Sequence, residues 1–235
     1  MAITPRLPPD YSMHDPIYQR LRQQGASGWD DDASDIYTEM HQLVTPLLPA
    51  RANGLAPKVL ELGCGAGNLS LRLAQSGYQV AGVDIAPTAI DWARERAQAA
   101  GLVPDFRVDD VLRLATCADA AFDAVVDGHC LHCIIGDDRA RCLAAVRRVL
   151  KPGGVLVVLS MCGEVGNEKM LQGFDPLTQV TVHAQRPTRY IGRAQDIVAE
   201  LATAGFVIHT SQVLARKDAD DLDTLLVHAS TPKAA

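Results

Sequence analysis

The chain has 235 residues, a formal net charge of −6, 48% hydrophobic residues and 21% charged residues. The acidic balance argues against electrostatic binding to nucleic acid, and no apolar run approaches the roughly 18 to 20 residues that span a bilayer. Six cysteines occur without the spacing of a disulfide scaffold, and the N-terminus lacks a charged-then-apolar signal pattern. We therefore expect one α/β domain in a reduced, cytoplasmic protein without nucleic-acid or membrane partners.

The first 54 residues are predicted to form an N-terminal arm and a helical lid over the domain. Residues 1–15 are rich in proline and polar groups, which favours an extended arm. Apolar positions at helical spacing predict helices over residues 17–24 and 36–47. Residues 55–235 are then predicted to form the main domain.

Strands and helices alternate after the lid, which indicates a parallel sheet with helices on both faces. The first five strands are predicted at residues 58–62, 79–83, 105–108, 122–127 and 155–160. Helices are predicted at residues 68–76, 87–100 and 138–150. Residues 161–193 are the least regular part and are predicted to be an insertion that covers the substrate. A helix at 194–204 and an antiparallel hairpin with strands at 206–213 and 224–229 are predicted to close the domain.

A glycine-rich loop follows the first strand. Gly63, Gly65 and Gly67 lack Cβ atoms, which permits positive φ and close approach of a ligand to the main chain. A dinucleotide fingerprint would place its third glycine where this chain has Asn68. With Glu61 two residues before the first glycine, the loop resembles motif I of the class I S-adenosylmethionine-dependent methyltransferases. The resemblance implies cofactor contacts from Glu61, Gly63, Cys64, Gly65, Gly67 and Asn68.

Acidic residues also follow the next strands. Asp84 ends the second strand, where a carboxylate either accepts hydrogen bonds from ribose hydroxyls, with Ile85 beside it, or caps the next helix. Residues 106–111 resemble the third motif of the same family, which implies that Asp110 accepts from the adenine amino group and Val111 offers its N–H. The other interpretation of that stretch is a solvated acidic turn. Residues 122–128 resemble motif IV, which implies that Asp127 lies at the cofactor edge.

The resemblance extends to the turn at Lys151-Pro152-Gly153-Gly154 and covers residues 58–160. It implies a Rossmann-like, doubly wound, seven-stranded, mostly parallel sheet with an antiparallel C-terminal strand and an N-terminal helical lid. It also implies a methyltransferase that uses S-adenosylmethionine and releases S-adenosylhomocysteine. Two other functions remain open: a scaffold or sensor that binds the cofactor without turnover, and, less in keeping with the motifs, a nicotinamide oxidoreductase.

The methyl acceptor is expected to be a small molecule. DNA amino-methyltransferases of this class carry Asp/Asn-Pro-Pro-aromatic at motif IV, whereas this chain has Asp127-Gly128-His129-Cys130. We therefore expect methylation of O, N or S of a metabolite that enters beneath the lid and residues 161–193. The chain is expected to be a monomer or a homodimer.

A histidine- and cysteine-rich cluster, residues 129–133, should leave the fourth strand at the carboxyl edge of the sheet, where sites in such folds lie. One interpretation makes His132 or His129 a general base, because a near-neutral pKa permits proton removal. A second interpretation is that these residues merely pack, since free cysteine is among the most buried residue types.

A third interpretation of the cluster is a metal or metalloid site. Soft thiolate ligands suit such ions, and arsenic methyltransferases of this class also use cysteines. The candidate ligands are Cys130, Cys133, Cys162 and His183. The acceptor would then be a thiol or a metalloid.

Residues close to the predicted acceptor are basic or aromatic. Arg186, Arg189 and Tyr190 lie in the insertion, and arginine matches carboxylates bidentately, so they predict a carboxylate-bearing acceptor. The alternative is a solvated basic turn. Trp29 of the lid is a further predicted substrate contact. It and the tyrosines Tyr11, Tyr18 and Tyr37 either cap the cofactor and acceptor or pack the arm against the domain.

Overall fold

The structure is a computed structural model that describes residues 7–29, 36–52, 54–166, 168–216 and 221–233. The α-helices of these ranges are α1 (His14–Gln23), α2 (Ile36–Val44), α3 (Asn68–Gln75), α4 (Pro87–Ala99), α5 (Asp138–Val149), α6 (Glu168–Leu171) and α7 (Ala194–Thr203). Short 3-10 helices lie at Tyr11–Met13, Thr45–Leu47 and Leu131–Cys133. Among the helices of the described ranges, none is long and apolar enough to cross a membrane.

The strands are β1 (Lys58–Leu62), β2 (Gln79–Asp84), β3 (Asp105–Val108), β4 (Phe122–Gly128), β5 (Leu150–Cys162), β6 (Phe174–Asp175), β7 (Val180–His183), β8 (Arg186–Tyr190), β9 (Val207–Leu214) and β10 (Asp223–Ser230). Seven of them form one sheet in the order β3-β2-β1-β4-β5-β10-β9. The C-terminal strand β10 runs antiparallel to both of its neighbours, and the pairs from β3 to β5 are parallel. The predicted Rossmann-like sheet with an antiparallel C-terminal strand is therefore confirmed.

The central strands are apolar along both faces because helices cover the sheet on both sides. Val125 of β4 packs in the cluster that contains Leu143 of α5 and Ile197 of α7. The next residue, Val126, belongs to the cluster on the other face with Leu69 of α3. Successive side chains of a strand point to opposite faces, so a strand buried on both sides reads as a continuous apolar run.

Two lid helices lie against two different helices of the domain. On α1, Tyr18 packs with Ala86 and Ala89 at the start of α4, and Asp15 accepts a hydrogen bond from the Thr88 N–H at 2.8 Å. On α2, Met40 packs with α3 in the second core cluster. The lid is thus joined to the elements that follow β1 and β2.

The N-terminal arm is shorter than predicted. Helix α1 begins at His14 rather than at residue 17, because Pro16 lies in the first turn, where its missing N–H costs no hydrogen bond. Residues 7–10 are irregular, and residues 1–6 of the predicted arm lie outside the described residues. Helix α2 ends three residues earlier than predicted and continues as the 3-10 helix Thr45–Leu47.

Residues 161–193 are more regular than predicted. Strand β5 continues to Cys162, helix α6 follows, and β6, β7 and β8 form a separate antiparallel sheet in that order. The turn between β7 and β8 holds Ala184 and Gln185 at φ values of 47° and 65°. Tight hairpin turns of this conformation usually contain Asn-Gly or Asp-Gly, so the Ala-Gln pair gives no turn signal in the sequence.

Candidate functional site

A cavity of about 610 Å³ opens at the carboxyl ends of the parallel strands. Its walls come from the lid, from the loops after β1, β2, β3 and β4, from β8 and from the ends of β9 and β10. A volume of this size is typical of small-molecule sites. The edge of the sheet at which it opens is the one where ligands bind in open α/β folds.

Two of the three predicted loop glycines line this cavity. Gly63 and Gly65 have φ values of 57° and 54°, a conformation that favours glycine. A Cβ on Gly65 would lie 2.5 Å from the hydroxyl oxygen of Tyr18, and one on Gly63 would lie 2.7 Å from Sγ of Cys130. The backbone of the loop must therefore be bare for the lid and the β4 loop to lie against it.

The third glycine is closely packed against the sheet, and its contact with a ligand stays a prediction. Gly67 precedes α3 at a φ of 80° and does not line the cavity. A Cβ there would lie 2.9 Å from the ring of Phe106. Asn68 also lies off the cavity wall, because its side chain accepts a hydrogen bond from Arg96 at 2.9 Å and donates to the Ser27 carbonyl.

Glu61 lines the cavity from β1 and is 3% exposed. Its carboxyl group accepts a hydrogen bond from the Ser70 hydroxyl. Burial raises the pKa of Glu61 to about 8. A positively charged ligand group beside it would offset this cost of ionisation.

Asp84 and its neighbour Ile85 line the cavity after β2. The Asp84 carboxylate accepts hydrogen bonds from the N–H groups of Gly65 and Ala86, each at 2.9 Å. It thus holds the glycine loop and the start of α4. A carboxylate has about four acceptor positions, so two remain for a ligand. Burial raises the pKa of Asp84.

The two aspartates after β3 have different surroundings. Asp109 accepts hydrogen bonds from the N–H groups of Asp110, Ala115 and Thr116 and from the Thr116 hydroxyl, so its carboxylate is used within the turn. Asp110 accepts one, from the Leu112 N–H at 2.9 Å, and lines the cavity together with Val111. Asp110, the aspartate that the resemblance to the third motif selects, is therefore the one that lies at the wall.

The cluster after β4 forms a turn that Asp127 holds in place. One carboxylate oxygen of Asp127 accepts hydrogen bonds from the N–H groups of Cys130 and Leu131, at 2.8 and 2.7 Å. Burial raises the pKa of Asp127 to about 7. Asp127 caps this turn and does not line the cavity in this structure, and its contact with the cofactor edge stays a prediction.

His132 lines the cavity from the 3-10 helix Leu131–Cys133 and is 3% exposed. Its Nδ1 is fully buried without a hydrogen-bond partner in the described part of the chain. Burial, followed by the positive charges of neighbouring groups, holds the pKa of His132 well below its usual value. The ring is therefore neutral near pH 7, with a lone pair that can accept a proton.

His129 also lines the cavity, and its ring meets that of His132 edge-on with centroids 5.8 Å apart. Its φ of 69° is uncommon for a residue other than glycine. Burial lowers the pKa of His129 to about 4. Both predicted histidines are thus brought to one wall in the neutral state.

The predicted substrate residues of the insertion are separated. Arg189 lines the cavity, is half-buried, and forms no hydrogen bond or ion pair through its guanidinium with any described residue. Arg186 lies away from the wall and donates to the Pro8 carbonyl at 3.1 Å. Tyr190 also lies off the wall, with its hydroxyl 3.3 Å from Oε1 of Gln179.

The cysteines give no geometric support to a metal site. Cys130 and Cys133 line the cavity, Cys162 lies off its wall, and His183 is exposed on β7. Within the described ranges, no group of three or more histidine, cysteine or acidic side chains could hold a metal ion. Burial raises the pKa of Cys133 to about 11, so without a cation beside it this thiol stays protonated near pH 7.

The aromatic residues of the lid converge on the cavity. Trp29 and the three tyrosines at positions 11, 18 and 37 all line it, and Tyr18 meets Trp29 edge-on at 5.4 Å. Sequence reasoning missed other wall residues, among them His14, Met40 and Arg216. None of them belongs to a recognisable motif. They reach the wall because α1, α2 and the residues just after β9 pack beside the cavity, which no local sequence pattern predicts.

Comparisons with known proteins agree with this geometry. Residues 60–158 match a family model described as a methyltransferase domain. The chain is 32% identical over 146 residues to a ubiquinone biosynthesis O-methyltransferase of Actinobacillus pleuropneumoniae serotype 7. That match covers 58% of this chain and 60% of the relative, so the chain spans about three fifths of the length of the relative.

Solved structures share the fold over most of the chain. A S-adenosylmethionine-dependent methyltransferase from Methanosarcina mazei superposes with a TM-score of 0.63 at 25% identity, covering 76% of this chain and 94% of that one. The [4+2]-cyclase SpnF superposes with a TM-score of 0.74 at 19% identity, covering 97% and 98%. At 19% identity the second likeness concerns the fold alone.

The cavity suits the cofactor that these comparisons imply. The bare backbone of Gly63 and Gly65 forms one part of its wall, and the carboxyl groups of Glu61, Asp84 and Asp110 lie at or just beyond the ends of three adjacent strands. Acidic groups at these places fit a ligand that carries hydroxyls and positive charge. Residues 60–158 of the chain match a methyltransferase domain, and its fold is similar to that of an S-adenosylmethionine-dependent methyltransferase.

Proposed function

We propose that the protein transfers a methyl group from S-adenosylmethionine to a hydroxyl oxygen of a small, carboxylate-bearing acceptor, with His132 as the general base. The observation that carries this proposal is the neutral ring of His132, which forms no hydrogen bond with any described residue and lies in the wall of a cavity that the three acidic strand ends also line. The name of the curated relative, an O-methyltransferase, supports oxygen as the acceptor atom.

The state of His132 supports its role as base. The ring forms no hydrogen bond with any described residue, and Nδ1 is fully buried, which leaves Nε2 to meet an acceptor. A neutral imidazole can take the proton of a hydroxyl group as its oxygen becomes bonded to carbon. A pKa below the usual value makes the base weaker, so an acidic hydroxyl such as that of a phenol suits it better than an aliphatic alcohol.

The environment of Arg189 supports an anionic acceptor. Its guanidinium has no partner among the described residues, and its positive charge helps to hold the pKa of His132 below its usual value and opposes the rise in the pKa of Cys133 that burial causes. A half-buried, unpaired guanidinium fits a carboxylate, because arginine can form two parallel hydrogen bonds to it. An acceptor held there would present its hydroxyl to the neighbouring His132.

The division of labour follows from these positions. Bound S-adenosylmethionine supplies a methyl group that is already activated by a sulfonium. Asp84 and the glycine loop hold the cofactor, Arg189 holds the acceptor carboxylate, and His132 removes the hydroxyl proton. Tyr18 and Trp29 of the lid limit access of water to this space. Alignment of the two reactants is then the largest contribution that the chain makes to the rate.

A matched acceptor panel tests this function. Hydroxybenzoates, aminobenzoates and mercaptobenzoates of each ring position would be incubated with the protein and radiolabelled S-adenosylmethionine, with phenol, aniline and thiophenol as carboxylate-free controls. We expect product from a hydroxybenzoate, with a higher KM for phenol. Preference for the amine or the thiol would contradict the oxygen assignment. Cofactor binding without product from any acceptor would favour a scaffold or sensor.

A further inference from the structure

We propose that Arg139 of α5 is a positioning residue that fixes the turn carrying His132 and aligns it with the strand carrying Arg189. The inference rests on the proposed function, because it assigns Arg139 to the placement of that base. Arg139 does not line the cavity, so it would act only through the residues that it holds.

The first set of contacts fixes the backbone on both sides of His132. Nη1 of Arg139 donates to the carbonyl oxygens of Leu131 at 2.7 Å and Ile134 at 3.2 Å. The 3-10 helix between them is three residues long and is held internally by the Cys133 and Ile134 N–H groups. Such a short 3-10 segment has poor hydrogen-bond geometry of its own, so side-chain contacts must define its position.

The second set of contacts holds the guanidinium from the opposite side. Glu200 of α7 accepts hydrogen bonds from Nε at 2.9 Å and from Nη2 at 2.6 Å. Arg139 is only 3% exposed, and a buried charge is costly unless it is paired and hydrogen-bonded. The planar fork of arginine meets the Glu200 carboxylate and the two carbonyl groups at once, which a lysine ammonium cannot do.

The third contact reaches the sheet that carries Arg189. The guanidinium of Arg139 lies over the ring of Tyr190, 4.4 Å from its centroid, in cation–π geometry. Tyr190 follows Arg189 directly in β8. One buried side chain thus touches both the turn of the base and the strand of the proposed carboxylate-binding residue.

The sequence pattern of α5 agrees with a special role for this position. Arg139, Cys142, Leu143 and Val146 recur at the spacing of the buried face of the helix, and all four are buried. The other arginines of the helix, at positions 141, 147 and 148, are exposed or half-buried. A charged residue on the buried face is unusual and points to a specific use of its charge.

The test combines kinetics with hydrogen exchange on the full-length protein. In Arg139→Met we expect kcat to fall about 10- to 100-fold, the size of effect that a displacement of about 1 Å at a reacting group can cause. The KM for the acceptor should rise and the cofactor affinity should stay within about twofold. In cofactor-free protein, the Cys133 and Ile134 amides should exchange faster, while the amides of β1 keep their protection.

Matched variants make the result interpretable. Arg147→Met also removes an arginine-to-carbonyl contact between α5 and α7, to Ala204, and should leave rates and exchange unchanged. Arg139→Lys should recover little activity, because it lacks the planar fork. If Arg139→Met does not fold, Tyr190→Leu against Tyr190→Phe tests the same connection, with a raised acceptor KM expected only for the leucine variant.

Two failures are distinguishable. Unchanged kcat and KM in Arg139→Met, beside loss of activity in His132→Ala, would overturn this inference and leave the proposed function intact. Full activity in His132→Ala would overturn the proposed function. The exchange of the Cys133 and Ile134 amides in Arg139→Met would then still report whether Arg139 fixes the turn. Exchange equal to that of the wild type would show that it does not.

Discussion

The proposed cofactor half of the cavity, around Glu61 and Asp84, and its proposed acceptor half, around His132 and Arg189, are built in opposite ways. In the cofactor half, Asp84 already accepts two backbone hydrogen bonds, and the Glu61 carboxyl is bonded to Ser70. In the acceptor half, the His132 ring and the Arg189 guanidinium form no hydrogen bond with any described residue. The contrast indicates that the cofactor half is fixed before any ligand arrives, whereas the acceptor half keeps its polar groups free for the molecule that reacts.

The two halves also differ in how far apart their residues lie in the sequence. The cofactor wall comes from consecutive strand–loop units within residues 61–111, and neighbouring units share the same sheet edge. The wall of the proposed acceptor half combines residues from 11–29, 36–43, 128–134, 214–216 and 221–224 with Arg189. Specificity therefore depends on lid, turn and hairpin elements that can change without altering the cofactor loop.

The largest change in cofactor affinity is expected at the glycine loop, where neighbouring side chains pack closely against the backbone. Gly65→Ala would force a Cβ to within 2.5 Å of the Tyr18 hydroxyl at a φ of 54°, and we expect cofactor affinity to fall at least about 100-fold. Gly101→Ala is the control, since its φ is 65° but nothing lies within 4 Å. Calorimetry that finds equal affinities for both variants would contradict a preformed loop.

The next effect is expected at Asp84, which joins the loop to α4. Asp84→Ala removes the acceptor of the Gly65 and Ala86 N–H groups and should weaken cofactor binding by about 1–3 kcal/mol. Asp91→Ala, an exposed aspartate of α4, should bind the cofactor like the wild type. A calorimetric cofactor affinity of Asp84→Ala equal to that of the wild type would contradict a role of Asp84 in cofactor binding.

A smaller effect is expected at the arginine of the acceptor half. Arg189→Met should raise the KM for a hydroxybenzoate about 5- to 10-fold, because one charged hydrogen-bond donor is lost from a half-buried site. The KM for phenol should stay constant. Arg186→Met is the control, since Arg186 bonds to Pro8 away from the cavity. Equal increases for both acceptors would contradict a carboxylate contact.

The last effect concerns the dependence of stability on pH rather than ligand binding. Burial raises the pKa of Glu61 to about 8, so between its unfolded value of 4.5 and 8 the native state keeps a proton that the unfolded state has lost. The contribution of Glu61 to stability is therefore complete below pH 4.5 and is lost as pH rises through 8, with a slope of at most about 1.4 kcal/mol per pH unit.

Urea denaturation of the cofactor-free protein at pH 5.5 and 7.5 measures this slope. Between these pH values, the wild type should lose about 2–3 kcal/mol more stability than Glu61→Gln, which has no titrating group at this position. Asp127, with its pKa raised to about 7, contributes in the same direction in both proteins. Identical slopes for the two proteins would mean that Glu61 is ionised in the native state.

Most of the sheet and the cofactor half could be predicted because their signals are local. The apolar run of β1, the spacing of Gly63 and Gly65, and the acid that ends β2 lie within short stretches. Gly67 is the exception, since its close neighbour is Phe106 of β3, and no local pattern reveals that contact. The register of a parallel sheet brings such residues together only after the crossover helices pack.

The acceptor half was only partly predictable, because its contacts join distant residues. The sequence indicated that His132 and Arg189 lie near the site but could not separate Arg189 from Arg186. These two arginines lie three residues apart in β8, where successive side chains point to opposite faces, and only Arg189 lines the cavity. Arg139 gave a signal only as a charged residue on an apolar helical face. Its partners Leu131, Tyr190 and Glu200 follow from tertiary packing.

The most direct test of the account is the rate of methyl transfer by His132→Ala at saturating S-adenosylmethionine, with a hydroxybenzoate as acceptor. We predict a fall of about 10²- to 10⁴-fold from the wild-type rate, the usual contribution of a general base, with calorimetric cofactor affinity unchanged because His132 belongs to the acceptor half. A rate within about twofold of the wild type at the same cofactor affinity would contradict the proposed role of His132.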